Sequence, residues 1–136
     1  MKFTTAIFGM LVLSPLAHAA DLTVTIKNVQ TQGGTIVLGL YDEAGFETDG
    51  ALAGAHIAVD GDTVSTVFEG LAPGEYAIRL YHDVNDDGDM NTNPFGMPIE
   101  PYAFSNNARG RFGPPVWQAA RFALAADGDT HTITLN

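Results

Sequence analysis

The 136 residues contain no cysteine, which excludes disulfide bridges, thiol nucleophiles and a lipid-modified N-terminal cysteine. Basic residues are scarce as well: six Lys and Arg stand against 16 Asp and Glu, a formal net charge of −10. A surface of that sign repels nucleic-acid phosphates and anionic lipid headgroups and attracts cations, so no nucleic-acid partner is expected. Long apolar runs are missing too. The most apolar stretch, residues 6–13, is well short of the roughly 20 residues that cross a bilayer. Helical periodicity of any length is also lacking.

What that N-terminal stretch does resemble is a cleavable export signal. Lys2 supplies one positive charge, residues 6–13 the apolar part, Ser14 and Pro15 a break, and Ala17-His18-Ala19 the small-residue site ahead of Ala20. That order matches the three parts of a secretory signal peptide. Cleavage is expected after Ala19, dividing the chain into a signal peptide (1–19) and one domain (20–136). The second part keeps five basic residues against 16 acidic ones, a net charge of −11 over 117 residues. A periplasmic or secreted protein with no integral membrane segment is expected. A domain of this size buries roughly two-thirds of its unfolded surface and needs no covalent staple.

Alternation with a period of two marks half-buried strands. Leu22, Val24 and Ile26 oppose Thr23, Thr25 and Lys27, and after Gln32-Gly33-Gly34 the run 35–41 places Ile36, Leu38 and Leu40 on one face. These two runs read as a hairpin. Residues 42–54 read as a polar loop, and 55–59 with 63–68 as a second pair around Asp60-Gly61, a dipeptide suited to a tight type I′ turn. Pro73-Gly74 then turns the chain into a strand from Tyr76 to about His82. A long irregular stretch to about Gln118 follows, and 119–124 with 131–135 read as a closing pair around Asp127-Gly128. About seven strands and no helix describe a single all-β, Greek-key β-sandwich with one long ordered loop.

A leucine, then Pro-Gly, then a tyrosine opening a strand recurs in sandwich domains of the prealbumin (transthyretin-like) type. The fuller pattern is more specific. His82-Asp83-Val84-Asn85-Asp86-Asp87-Gly88, Asn93-Pro94-Phe95-Gly96-Met97-Pro98-Ile99-Glu100, Phe104-Ser105-Asn106-Asn107 and Phe112-Gly113-Pro114-Pro115 closely resemble the signature of an uncharacterised bacterial family, the domain of unknown function 2141. The resemblance spans nearly all of the exported part. It implies a secreted or periplasmic β-sandwich and supplies no reaction, since the family has none assigned.

Chemistry concentrates between Asp83 and Asn91. Asp83, Asn85 and Asp87 lie two residues apart with Gly88 next, the opening of the calcium-loop pattern. Alternate side chains of a curved segment converge on one point, glycine permits the bend, and the carbonyl of Asp89 can add an oxygen. The pattern departs at its twelfth position, which is Pro94 where an EF-hand has a bidentate glutamate. Asn91 is then a nearby donor and Glu100 the best distant carboxylate. All-oxygen ligands suit calcium rather than zinc, and a missing strong ligand predicts a dissociation constant on the order of 0.1 to 1 mM. Asp and Asn in such a loop also cap turns without any ion, and Arg79, Arg109 or Arg111 could neutralise them. Asp83, Asp86, Asp87 and Asp89 nevertheless crowd seven residues that hold no Lys or Arg.

The rest of the loop is rich in proline and aromatics. Phe95, Tyr102, Phe104 and Phe112 are expected to bury themselves as a cap over one edge, with Trp117 packed inside. Tyr102, Phe104, Ser105, Asn106, Asn107 and Arg109 offer rings, amides, a hydroxyl and a guanidinium to a small ligand, a glycan or an envelope-protein partner. No catalytic set emerges. Ser105, His82 and Asp83 lack a nucleophile elbow, and His56, His82 and His131 show no metal spacing and read as surface or strand-end residues. The expectation is a non-enzymatic exported module with a calcium-binding loop and an interaction surface. The alternatives are a carboxylate-dependent hydrolase of glycans or esters and a purely structural envelope protein.

Overall fold

The computed structural model describes residues 19–136; the export signal expected over 1–19 lies, but for Ala19, outside the described residues. The chain runs through strands Ala20–Lys27 (β1) and Thr35–Tyr41 (β2), helix Glu43–Thr48 (α1), and strands Ala53–Ala58 (β3), Val64–Leu71 (β4) and Gly74–Asp83 (β5). After a long loop come strand Tyr102–Phe104 (β6), a 3-10 turn at Ser105–Asn107, helix Trp117–Ala120 (α2), and strands Phe122–Leu124 (β7) and Asp129–Thr134 (β8).

These strands form two sheets. One has the order β4-β1-β8, the other β3-β2-β5-β6, with β7 also paired to β5. β6 and β7 share one edge of β5, opposite residues 79–81 and 74–76 respectively. The core lies between the sheets. Leu22, Val24 and Ile26 of β1, Ile36 and Leu40 of β2, and Ile78 of β5 are all 0% exposed, each worth about 1.5–3 kcal/mol of burial. The all-β sandwich is the observed fold, with eight strands where about seven were expected.

The strand pairing departs from expectation in a consistent way. β1 pairs with β4 and in parallel with β8, while β2 pairs with β3 and β5. All three expected hairpins, β1 with β2, β3 with β4 and β7 with β8, are therefore connections from one sheet to the other. An alternating apolar face says only that a strand covers the core, and strands of either sheet do that equally well. The Asp60-Gly61 link illustrates the difference: neither residue has the positive φ a type I′ turn requires. Its backbone instead bonds across the connections, with the Val29 N–H donating to the Asp62 carbonyl at 3.0 Å and the Val59 N–H to Gly34 at 3.2 Å.

The expected loop 42–54 contains α1. Asp42 caps it by accepting the Gly45 N–H at 2.7 Å, and Asp49 ends it at φ 60°. Six residues carry too little periodicity to show in sequence, and the helix persists because Phe46 is buried against Trp117, ring centroids 5.8 Å apart. Phe46, Ala77, Trp117 and Ala120 form a second apolar cluster, flanked by Tyr41 and Phe104. It covers one end of the outer face of the larger sheet. Trp117 thus packs inside as expected. The aromatic cap does not form as expected: Phe104 is half-buried, but Phe95 is 90% exposed and Phe112 fully exposed.

Candidate functional site: an acidic loop closed by a distant glutamate

β5 sets the site's position. Asp83 ends the strand, 3% exposed, and the chain bends over it through Asp86 (φ 54°) and Gly88 (φ 81°). The Asp83 carboxylate accepts the backbone N–H of Gly88 at 2.8 Å and of Asp87 at 3.3 Å. Glu100, 8% exposed, enters from the far end of the loop and accepts the Val84 N–H at 2.7 Å and the Asn91 N–H at 2.8 Å. Between them stands Asp87, exposed to solvent, accepting the Asp89 N–H at 3.0 Å and the amides of Asn91 at 2.9 Å and Asn85 at 3.3 Å.

Carboxylate oxygens of Asp83, Asp87 and Glu100 consequently lie within 4.8 Å of one another. A carboxylate offers about four lone-pair directions, so the hydrogen bonds to backbone and amide leave each group able to accept more. The backbone N–H of Asp89, followed by the Asn91 amide, draws the Asp87 carboxyl below its usual pKa. Burial, and after it the charges of Asp83, Asp89, Glu100 and Asp87, raise that of the Tyr81 phenol beneath the loop, whose hydroxyl donates to the Gly88 carbonyl at 3.4 Å. The negative field of the loop reaches the sheet surface.

Of the six residues expected around a cation, Asp83, Asp87 and Glu100 supply converging carboxylates, and Asn85 and Asn91 both face Asp87. The Asn91 Oδ1 is buried and has no hydrogen-bond partner. Asp89 contributes its N–H to Asp87. Asp86 points elsewhere, accepting the Thr35 hydroxyl at 2.7 Å. Among the described residues the two ion pairs are Arg79 with Asp49 and Arg121 with Glu75, so neither Arg79, Arg109 nor Arg111 forms an ion pair with this cluster. A link from Glu100 was legible only as a departure at Pro94 that required a carboxylate from farther along.

The residues expected to form a ligand surface divide. Tyr102 (47% exposed) and Phe104 stand edge to face on the outer side of β6, centroids 6.2 Å apart. Arg109 is exposed. Ser105 is 0% exposed, its oxygen accepting the Ile78 N–H at 2.9 Å and its hydroxyl donating to the Ala120 carbonyl at 2.5 Å, and it holds the fold rather than presenting a surface. The Asn106 amide ties to the Ala119 and Arg121 carbonyls, and Asn107 accepts the Thr134 N–H. Asn106 therefore braces the end of α2 and Asn107 the end of β8. His82 is likewise not a surface residue: it alternates with Ile78 and Leu80, is fully buried, and its Nε2 lies 2.7 Å from the Gly33 carbonyl. A carbonyl only accepts, so that nitrogen carries the proton.

Sequence reading missed a trough on the outer face of the larger sheet, about 400 Å³ in volume, bounded by Tyr41, Arg79, Tyr81, Met90, Tyr102 and Phe104. The period-two pattern that put Leu38 and Leu80 inside placed Arg79 and Tyr81 outside, while Met90, Tyr102 and Phe104 fell in the long irregular stretch. Searches of the curated proteins and of the solved structures give no match. The sequence profile of a bacterial family matches residues 24–133, which spans both sheets and the whole acidic loop. The chain belongs to that family, described as an uncharacterized protein conserved in bacteria (DUF2141).

Proposed function

We propose that this chain is an exported, non-enzymatic β-sandwich protein whose acidic loop binds calcium, the ion fixing the loop for contact with a small ligand, a glycan or an envelope-protein partner. The observation that carries the reading is the convergence of Asp83, Asp87 and Glu100, from segments 13 or more residues apart, within 4.8 Å. Oxygens on opposite sides of a calcium ion stand about 4.6 to 5.2 Å apart, twice the usual bond length. The unpartnered Asn91 Oδ1 adds an unspent oxygen beside the same carboxylates. A half turn of the Asn85 and Asn91 amides would exchange their N–H donors for oxygens, which suits a site that uses amides in place of the ion when calcium is low.

Two further features support the export and non-enzymatic parts. β1 begins at Ala20, the residue that cleavage after Ala19 would leave first. The Ser105 hydroxyl and the His82 Nε2 are each committed to backbone partners of their own. The test is terbium luminescence excited through tyrosine, with Tyr81 as the donor beside the loop. Terbium should bind and sensitise, and calcium at concentrations on the order of 1 mM should displace it. The paired variant Asp83→Asn with Glu100→Gln should abolish both effects. Luminescence that calcium does not displace, or that the double variant retains, would sink the reading.

A further inference from the structure

The trough on the outer face of the larger sheet is independent of the cation site, and its rows follow from register. In one row His56, Val37, Tyr81 and Tyr102 stand opposite each other across β3, β2, β5 and β6; in the next stand Gly54, Gly39, Arg79 and Phe104. Two glycines side by side leave the floor without side chains between flanking rings. A Cβ built on Gly39 would lie 2.8 Å from the Tyr41 hydroxyl and 2.9 Å from its ring, so the missing side chain lets the Tyr41 ring lie down over the strand and form part of the trough. Met90, from the acidic loop, closes one wall.

The protein already shows what these rings accept. At the α1 end the Arg79 guanidinium lies over the rings of Phe46 at 4.2 Å and Tyr41 at 4.8 Å, and pairs with Asp49. At the other end Tyr81 and Tyr102 are directly opposite neighbours; among the described residues no cation lies over either ring, and the acidic loop with Asp83, Asp87, Asp89 and Glu100 begins two residues beyond Tyr81. The Tyr81 hydroxyl reaches the loop itself, donating to the Gly88 carbonyl at 3.4 Å. Ring faces carry negative charge and attract cations, guanidinium above all. The Arg79 charge does not cancel this, because Asp49 matches it.

We propose that this trough binds the arginine or lysine side chain of an extended basic polypeptide segment, the cation seated over Tyr81 and Tyr102 beside the acidic loop. The half-open shape suits a side chain carried on a longer chain better than an enclosed small molecule. The inference does not depend on calcium, and its test is run in chelator.

A blocked five-residue Ala/Arg peptide, its Ala/Glu counterpart and free arginine amide would be titrated against the whole protein and followed by heat and by amide chemical shifts. The Ala/Arg peptide should saturate, shift resonances of β2, β5 and β6, and bind more tightly than arginine amide; the Ala/Glu peptide should not bind. Tyr102→Leu and Tyr81→Leu should each weaken binding by about two- to fivefold. Gly39→Val, which suits a strand, should push the Tyr41 ring out of its place in the trough wall and abolish saturation. Should Gly39→Val fail to fold, Tyr102→Leu at the half-exposed edge strand still decides. Binding unchanged by these variants would be diffuse attraction to an acidic surface and would overturn the proposal, as would the absence of binding.

Discussion

Replacing Glu100 by Gln separates the loop's own architecture from its affinity for an ion. The carboxylate accepts two backbone donors, Val84 at 2.7 Å and Asn91 at 2.8 Å, while 8% exposed. Glutamine keeps the volume and one oxygen, so one of those donors meets an amide instead, a cost of about 1–3 kcal/mol. Against this, a charge leaves a crowded trio. Two unit charges at the trio's widest spacing of 4.8 Å repel by about 1 kcal/mol in water and about 3.5 kcal/mol at an effective dielectric constant of 20, and Glu100 faces two such charges, the exposed Asp87 at the smaller, water-screened value. The two effects nearly offset, and in chelator Glu100→Gln should melt within a few degrees of the unaltered chain. Calcium breaks the symmetry. At about 5 mM calcium and a dissociation constant of about 0.1 to 1 mM, the unaltered chain gains about 1 to 2.3 kcal/mol. For a domain this size that raises the melting temperature by about 4 to 9 °C. The variant, short of one strong ligand, should gain less than about 0.5 kcal/mol. Circular dichroism melts of both proteins, with calcium and with chelator, give the four numbers. An unaltered chain that melts identically in both buffers refutes the cation; equal shifts in both proteins refute the role of Glu100.

Three further outcomes follow from other parts of the fold. Ser105→Ala strands the Ile78 N–H and the Ala120 carbonyl in the core and should cost about 1–3 kcal/mol, read from urea unfolding at unchanged m-value. Gly128→Ala places a Cβ 2.8 Å from the Asp21 carbonyl at φ +89° and should cost more than about 1 kcal/mol; a loss within error would refute the close approach. Burial lowers the His131 pKa from its usual value, with Asp129 opposing; the ring stacks on Phe122 at 4.1 Å and its Nε2 accepts the Asn106 N–H at 3.1 Å, which only the neutral ring can do. The unfolded chain therefore takes up that proton more readily. Stability from this residue is complete above about pH 6.5 and is lost as pH falls through the lower folded value. His131→Gln should flatten the change in unfolding free energy between about pH 7.5 and pH 5, and an unchanged slope would assign it to other groups.

Much of the candidate site was legible because its signal is local. The two-residue spacing of Asp83, Asn85 and Asp87 ahead of Gly88 shows a loop that curls on itself. The failed twelfth position announces that another carboxylate is needed. What the spacing could not say is that Asp86 turns outward to Thr35, since that depends on β2 lying alongside β5. Ser105 misled for the same reason: a serine among asparagines reads as surface until β6, α2 and β5 close around it. The trough escaped notice because Tyr41, Arg79, Tyr81 and Tyr102 come from three strands that only the register brings into rows.

Sequence alone determined which face of each strand meets the core, because a strand's side chains alternate whatever its neighbours are. It also determined where the acidic charge is concentrated. Only tertiary structure decided which strands pair. The apolar faces of β1 and β2 are interchangeable as core-covering surfaces, and the choice to place them in opposite sheets rests on connections crossing between sheets and on backbone bonds such as Val29 to Asp62. That same choice lays β2, β5 and β6 side by side, leaving Tyr81 and Tyr102 directly opposite each other beside the acidic loop.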